Sequence, residues 1–196
     1  AIRGVPIPVI AKVNGWCMGG GHELALWCDL VIASEKSMLG QTGAKVGACP
    51  TVGATQYLPR IIGERLAREM IFLARRFSAA EAEKIGLINK CVPEDQLEAE
   101  TLAWCETIKG HSSQTIRMTK KSLNLESDQL YGSWQHGMEL LAHVWGSEES
   151  LEGMNAFLEG RKPDFQKFRL RNKAALEDYL DGFHRHLNAP PDMRNF

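Results

Sequence analysis

Three consecutive glycines, Gly19–Gly21, constrain the fold of this chain more than any other feature. The apolar run Pro8–Val13 precedes them, and a Leu/Ala-rich segment with helical spacing, His22–Cys28, follows at once. This order predicts a buried strand, a tight turn and the start of a helix. The first N–H groups of a helix lack intrahelical acceptors and lie at the positive end of its dipole. The turn is therefore a candidate site for a negative charge that develops during a reaction.

Glu23 lies three residues beyond Gly20, about one helical turn along the predicted helix. A carboxylate at this position can transfer protons beside a stabilised oxyanion. A plainer alternative is that the turn needs glycine only for packing. The neighbouring His22 projects about 100° away from Glu23 around the helix, so the sequence favours a structural role for His22.

Composition excludes several classes of function. The 196 residues suit one compact domain, and 23 Lys plus Arg against 24 Asp plus Glu predict no basic face for nucleic acid. No apolar run approaches the roughly 20 residues that span a bilayer. The six histidines lack the spacing of metal ligands, so no metal site is predicted. The five cysteines are widely spaced without a CxxC pair, which predicts reduced thiols in the cytoplasm.

Two regions of different character are expected. Over residues 1–77, short apolar strands at 7–13, 29–33 and 37–41 alternate with helices at 22–28, 55–62 and 64–73, which favours an α/β core with parallel pairing. Residues 42–53 are rich in Gly, Ala and Pro and predict a loop. Residues 78–170 have mostly helical periodicity, at 95–109, 112–124, 130–145 and 148–159. Residues 171–196 are interpreted as a C-terminal extension.

Several motifs occur together in an order and spacing typical of one enzyme family. They read NGWCMGGGHELALWCDLVIASE, LGQTGAKVG, PTVGATQYLPRIIG, SAAEAEKIGLIN and EGMNAFLEGRKPDF. From about Pro8 to about Phe168 the chain resembles the crotonase superfamily of enoyl-CoA hydratases, isomerases and acyl-CoA hydrolases. The resemblance implies the C-terminal half of a ββα spiral core, with the other half expected upstream of residue 1. It also implies a C-terminal helical module that packs on neighbouring subunits in a trimer or hexamer.

The resemblance assigns the chemistry to two residues. The backbone N–H of Gly20 matches one of two oxyanion donors for a thioester carbonyl, and the second donor is expected from the upstream half. Glu23 matches the first of the two carboxylates of ordinary enoyl-CoA hydratases, whereas the second falls on Gly43. We expect the glycine at 43 to leave room for a ring or a second water. Coenzyme A is part of the implied substrate, and no other cofactor is expected.

Further residues are expected to bind the substrate. The residues that lead into the turn are expected to shape an apolar acyl pocket, together with those of the later loop: Trp16, Cys17, Met18, Gly19, Gly43, Cys49, Pro50 and Thr51. Phe157 matches an aromatic residue that contacts coenzyme A from a neighbouring subunit. The family's basic residue falls on Gly160, which leaves Arg161 or Lys162 as a substitute for the phosphate contact, and Arg161 is the residue that we select.

The motifs also bear on the reaction. Glu23 together with Gly43 and the CPTVGATQ loop is most similar to the ring-opening hydrolases of 6-oxocyclohex-1-ene-1-carbonyl-CoA in anaerobic aromatic degradation. This similarity implies addition of water to the enone and hydrolytic cleavage of a ring C–C bond. An ordinary enoyl-CoA hydratase is disfavoured by Gly43, and a naphthoate synthase-like enzyme by Glu23. A non-catalytic, oligomeric acyl-CoA-binding scaffold is a third alternative.

Overall fold

The computed structural model describes residues 2–188, with side chains as far as residue 181. Within this range the strands are β1 (Ile10–Val13), β2 (Trp16–Met18), β3 (Leu30–Ser34), β4 (Met38–Gly40), β5 (Arg76–Ser78) and β6 (Lys90–Val92). The α-helices are α1 (Gly20–Leu26), α2 (Gly43–Val46), α3 (Ala54–Phe72), α4 (Ala79–Lys84), α5 (Leu97–Lys109), α6 (Ser113–Asp128), α7 (Tyr131–Val144), α8 (Glu148–Leu158) and α9 (Gln166–Asn188).

The strands form two small sheets. One has the order β1-β3-β6 and is parallel throughout; the other has the order β2-β4-β5. β2 pairs with β4 in parallel, but β5 pairs with β4 in the antiparallel direction, so the expectation of purely parallel pairing is wrong for this strand. Strands β2, β4, β5 and β6 have three residues each, and only β4 lies within a predicted strand. Runs this short produce little periodic signal in the sequence.

The boundaries differ from the predicted regions at both ends of the helical part. β6 lies well beyond residue 78 yet pairs with β3, so the region predicted as a helical module also completes a sheet. Helix α9 runs without a break across the predicted boundary at residue 170. The Pro-rich stretch at 189–196 lies outside the described residues. The structure confirms the predicted α/β architecture with a helical C-terminal region.

The main hydrophobic core lies between the sheets and helices α1, α3 and α4. Among its members Leu39, Leu58 and Met70 are at most 1% exposed. Helix α3 is interrupted at Gly63, where φ is 80°, and this agrees with the two separate helices that the sequence predicts there. Ser78 and Glu81 form a capping box at the start of α4.

A buried lysine on α6 binds the segment that precedes the first strand. Lys120 Nζ donates to Asp29 Oδ2 at 2.6 Å and to the carbonyl oxygens of Ile7 at 2.9 Å and Ile2 at 3.4 Å. The same Asp29 oxygen accepts the Val9 N–H at 2.7 Å. The Lys120 side chain is 7% exposed and that of Asp29 is 25% exposed. The pair therefore holds the segment before β1 against α6.

Replacing this lysine should destabilise the fold. Lys120→Met keeps the aliphatic length but leaves the Asp29 carboxylate without its cation. Because a partly buried charge then lacks its partner, we expect the free energy of unfolding to fall by about 2 kcal/mol. Urea denaturation measures the change. The exposed neighbour supplies the matched control, because Lys121→Met should change stability by less than about 0.5 kcal/mol. Equal stability of the two variants would show that the ion pair is not a fold determinant.

Candidate active site

The glycine turn opens a helix N-terminus onto empty space. Gly19, with φ 52° and ψ −121°, is the N-cap of α1; its N–H donates to the Gly40 carbonyl at 3.0 Å, and its carbonyl accepts the Glu23 N–H at 2.9 Å. Gly20 is the first helical residue, so its N–H has no intrahelical acceptor. A Cβ placed on Gly19, Gly20 or Gly21 would meet no atom within 4 Å. The turn can therefore admit a ligand oxygen to an N–H donor at the positive end of a helix.

Glu23 is buried at the junction of two helices. It is 5% exposed, and its Oε1 accepts the N–H of Ala54, the first residue of α3, at 3.2 Å. Burial raises the pKa of this carboxyl, and hydrogen bonds from the backbone of Ala54 and Val52 partly offset the increase. The group is thus held in a fixed orientation and binds a proton more readily than an exposed glutamate, as a proton-transfer group requires.

His22 faces away from solvent and contacts the end of β4. Its ring is 1% exposed, and its Nδ1 lies 3.1 Å from Gln41 Nε2. Burial lowers the pKa of His22 to about 4, so the imidazole is neutral at pH 7. These contacts hold the His22 ring in the protein interior, and they identify Gln41 as a neighbour of the turn that sequence reasoning did not select.

Gly43 is packed against its own loop. A Cβ at this position would lie 2.3 Å from the carbonyl oxygen of Ala48. The space that we expected the glycine to leave for a ring or a water is therefore filled by the backbone. Gly43 begins the short helix α2, so the segment predicted as a loop is partly helical.

Helix α2 is fastened to α8 by two close glycine contacts. A Cβ at Gly153 would lie 2.4 Å from the Val46 carbonyl carbon, and one at Gly47 would lie 2.7 Å from Ser150 Cα. No side chain beyond hydrogen fits at either position without a shift of backbone. The C-terminal helices therefore determine where the loop beside the candidate site lies.

The predicted pocket residues on β2 do not share one surface. Cys17 is 6% exposed within the hydrophobic core, on the opposite face of the strand from Trp16 and Met18. Burial raises the pKa of its thiol to about 11, which makes it a poor nucleophile. Trp16 is 69% exposed and lies under the guanidinium of Arg76 at 5.2 Å from the ring centre. Only Gly19 of this predicted group lies directly at the open turn.

The loop before α3 brings together the other predicted residues. Pro50 lies beside Gly43, with its Cδ 3.6 Å from the position of a Cβ there. Thr51 is 7% exposed and packs against Gly137 of α7, where a Cβ would lie 3.1 Å from the threonine Cβ. Cys49 is partly buried, and burial raises the pKa of its thiol, which disfavours a nucleophilic role.

An aromatic cavity of about 620 Å³ adjoins the Glu23 region. Trp27 and Tyr57 meet edge to face at 5.0 Å, and Tyr131 and Trp134 stack at 5.7 Å between ring centres. The lining includes Leu24, Trp27, Val52, Tyr57, Tyr131 and Trp134. Trp27 was detectable from the sequence, because it follows Glu23 by four residues and, as the C-cap of α1, lies on the same side of the helix. The other aromatic residues come from distant segments that only the tertiary fold brings together.

The residues expected to contact coenzyme A lie on the surface at the end of α8. Phe157 is 72% exposed. Arg161 is occupied by its own chain: the guanidinium bonds Glu152 at 2.6 Å and also contacts Glu159. The hydrogen bonds that Arg161 and the Asp164 N–H donate to Glu152 lower the pKa of this carboxyl to about 2. A phosphate contact by Arg161 would have to compete with two carboxylates.

The comparisons with known proteins identify the family. The sequence model for enoyl-CoA hydratase/isomerase matches residues 1–169. The chain belongs to this family. This finding agrees with the crotonase resemblance seen in the motifs, and it places the glycine turn and Glu23 inside the matched region.

Solved structures of relatives support the same assignment. An enoyl-CoA hydratase from Mycobacterium avium subsp. paratuberculosis K-10 superposes with a TM-score of 0.81 at 31% identity, over 84% of this chain and 67% of that one. An enoyl-CoA hydratase from Bacillus anthracis is 35% identical, with a TM-score of 0.63 over 83% of this chain and 63% of that one. A methylmalonyl-CoA decarboxylase is 32% identical, with a TM-score of 0.74 over 84% and 65%. The chain thus spans about two thirds of the length of these relatives.

The part of the chain that the structure describes holds neither a candidate metal site nor a membrane-spanning helix. No group of three or more His, Cys, Asp and Glu side chains is placed there to hold a metal ion. No described helix combines the length and apolar character needed to cross a membrane. All five cysteines are free thiols.

Proposed function

We propose that the protein is an acyl-CoA enzyme whose glycine turn stabilises the negative charge that forms on a thioester carbonyl. The observation that carries this proposal is the N-terminus of α1, which no side chain caps and where a Cβ on Gly20 would meet no atom within 4 Å. One such donor typically contributes about 3 kcal/mol of transition-state stabilisation. The family match supports the same chemistry.

Glu23 is the proposed proton-transfer residue. Its carboxyl is one helical turn from Gly20, is nearly fully buried and is oriented by the backbone at the start of α3. In this role Glu23 directs a water molecule to the substrate or carries its proton. The second hydratase carboxylate has no counterpart at Gly43, so a mechanism that relies on one carboxylate is favoured.

The proposed substrate is an alicyclic β-oxo thioester, 6-oxocyclohex-1-ene-1-carbonyl-CoA. One water adds across the ring C=C bond, and a second water cleaves the ring C–C bond beside the ketone, giving a linear dicarboxylic mono-CoA ester. The motif combination of Glu23, Gly43 and the CPTVGATQ loop, which is similar to that of the ring-opening hydrolases, supports this assignment. The similarity to a methylmalonyl-CoA decarboxylase is consistent with it, because decarboxylation also breaks a C–C bond next to an acyl-CoA carbonyl.

Straight-chain enoyl-CoA hydration is the second candidate. It is favoured by two relatives that are named enoyl-CoA hydratase and share 31% and 35% identity with this chain. In this case Glu23 would act without a carboxylate at position 43.

The proposal extends to the oligomeric state of the protein and to its cellular location. The protein acts as a homo-oligomer, a trimer or hexamer, in which the exposed Phe157 contacts coenzyme A bound by a neighbouring subunit. Coenzyme A enters as part of the substrate, and no separate cofactor is proposed. The free thiols are consistent with the cytoplasm.

A panel of thioesters tests the proposed function. The full-length protein is incubated with 6-oxocyclohex-1-ene-1-carbonyl-CoA, 2-ketocyclohexanecarboxyl-CoA and crotonyl-CoA, and the products are analysed by mass spectrometry. We expect a gain of two waters on the first ester alone. A gain of one water on crotonyl-CoA, with the cyclic esters unchanged, would replace ring opening by ordinary hydration. Binding of all three without turnover would favour a non-catalytic scaffold.

A further inference from the structure

We propose that Gln41, together with His22, is a positioning residue that orients the Gly19–Gly20 peptide for oxyanion binding. The inference rests on the proposed function of the Gly20 N–H. Gln41 follows directly after β4 and is 1% exposed. Its Nε2 lies 3.4 Å from the Gly19 carbonyl oxygen and 3.1 Å from His22 Nδ1.

The orientation of one peptide group connects these contacts to the oxyanion. The carbonyl of Gly19 and the N–H of Gly20 belong to the same planar, trans peptide unit and so point in opposite directions. The carbonyl oxygen is held from two sides, by Gln41 Nε2 and by the Glu23 N–H. Gly19 itself is anchored to β4 through the Gly40 carbonyl. Fixing the oxygen on the buried side therefore aims the Gly20 N–H at the open side.

The hydrogen-bonding pattern also determines the state of His22. The Gly19 oxygen is an acceptor only, so the Gln41 carboxamide must present its NH₂ group to it. The second proton of that NH₂ then points to His22 Nδ1, which acts as the acceptor. The neutral imidazole consequently carries its proton on Nε2. With Nδ1 as an acceptor, His22 favours the same carboxamide orientation as the Gly19 oxygen.

A contribution to the stability of the fold does not by itself explain the buried His22–Gln41 pair. His22 Nε2 and Gln41 Oε1 are buried and have no hydrogen-bond partner within the described structure. Unpaired buried polar atoms weaken a fold, and an apolar pair of similar shape would avoid this cost. A polar pair that leaves two atoms unsatisfied beside the candidate donor is typical of a functional constraint.

Substitutions separate positioning from packing. Gln41→Met keeps the length of the side chain but removes both N–H donors. We expect kcat to fall roughly 10- to 100-fold and KM to change less than about 2-fold. The Tm of this variant should equal or exceed that of the wild type. His22→Leu should act in the same direction. His22→Asn places an amide oxygen near the position of Nδ1 and should restore kcat to within about 3-fold of wild type. Gln114→Met, at an exposed position on α6, is the control.

A spectroscopic readout makes the test independent of turnover. Butyryl-CoA labelled with ¹³C at the thioester carbonyl binds without being hydrated, and its carbonyl stretch should shift to lower frequency on the wild-type protein. We expect Gln41→Met to reduce this shift by at least about half and His22→Asn to retain it.

The outcomes distinguish this inference from the proposed function. Failure of the wild-type protein to shift the carbonyl stretch would contradict the oxyanion role of Gly20 and with it the positioning role. A shift that is equal in wild type and Gln41→Met would leave the oxyanion site intact and overturn only the positioning role. A Tm loss in Gln41→Met without a change in the carbonyl stretch would show that Gln41 serves packing.

Discussion

Glu23→Gln is expected to lower kcat by roughly 10²- to 10⁴-fold while KM changes by less than about 2-fold. The amide cannot exchange a proton with water or substrate at neutral pH. Its Oε1 can still accept the Ala54 N–H, so the junction of α1 and α3 should remain folded. Steady-state kinetics on the thioester that the wild type converts measures the effect, with circular dichroism as the check on folding.

The pH profile provides a further check on Glu23. Because burial raises the pKa of this carboxyl, the ionised form is lost at a higher pH than for an exposed glutamate. If the carboxylate is the base, kcat/KM of the wild type should fall as pH decreases through that raised pKa, and the Gln variant should lack this limb. Glu106→Gln, an exposed change on α5, is the matched control. Full activity of Glu23→Gln would remove Glu23 from the mechanism.

Gly43→Glu, which introduces the second hydratase carboxylate, is expected to destabilise the fold rather than create a hydratase. The new Cβ would lie 2.3 Å from the Ala48 carbonyl oxygen, so the backbone of the loop must move. We expect the free energy of unfolding to fall by about 3 kcal/mol, and crotonyl-CoA hydration not to increase. Urea denaturation and a hydration assay measure the two effects.

The control uses the same substitution elsewhere. Gly132 lies exposed on α7, and a Cβ there meets no atom within 4 Å, so Gly132→Glu should leave stability unchanged or raise it by up to about 1 kcal/mol. If Gly43→Glu proved as stable as Gly132→Glu and hydrated crotonyl-CoA, the loop would be adaptable and the close packing at Gly43 irrelevant to the reaction.

Local signals in the sequence were sufficient for much of the helical structure. Ser78 and Glu81 are three residues apart, and their capping box depends only on that spacing. The break at Gly63 likewise reflects a single residue with positive φ. The position of the glycine turn was predicted correctly. Helix α1 begins at Gly20, two residues before the predicted start, because glycine also adopts helical dihedrals.

Local sequence signals did not predict which distant segments pair as strands. A three-residue strand such as β6 gains its structure from β3, some 58 positions earlier, as in the contact of Asn89 Oδ1 with the Val31 N–H. Sheet pairing of this kind depends on which segments meet, and a run of three residues does not encode its partner. The antiparallel direction of β5 was missed for the same reason.

The sequence by itself determined the family, the helical segments and the two residues expected to carry the chemistry, Gly20 and Glu23, because these depend on motifs within one stretch of chain. Only the tertiary structure decided what surrounds them. In that structure the Ala48 carbonyl occupies the space at Gly43, the Cys17 side chain lies in the core, and Gln41 contacts the glycine turn. The contacts of Cys17 and Gln41 join residues far apart in the chain, and the loop that carries Gly43 and Ala48 contacts α8 closely. This geometry therefore exists only once the core has packed.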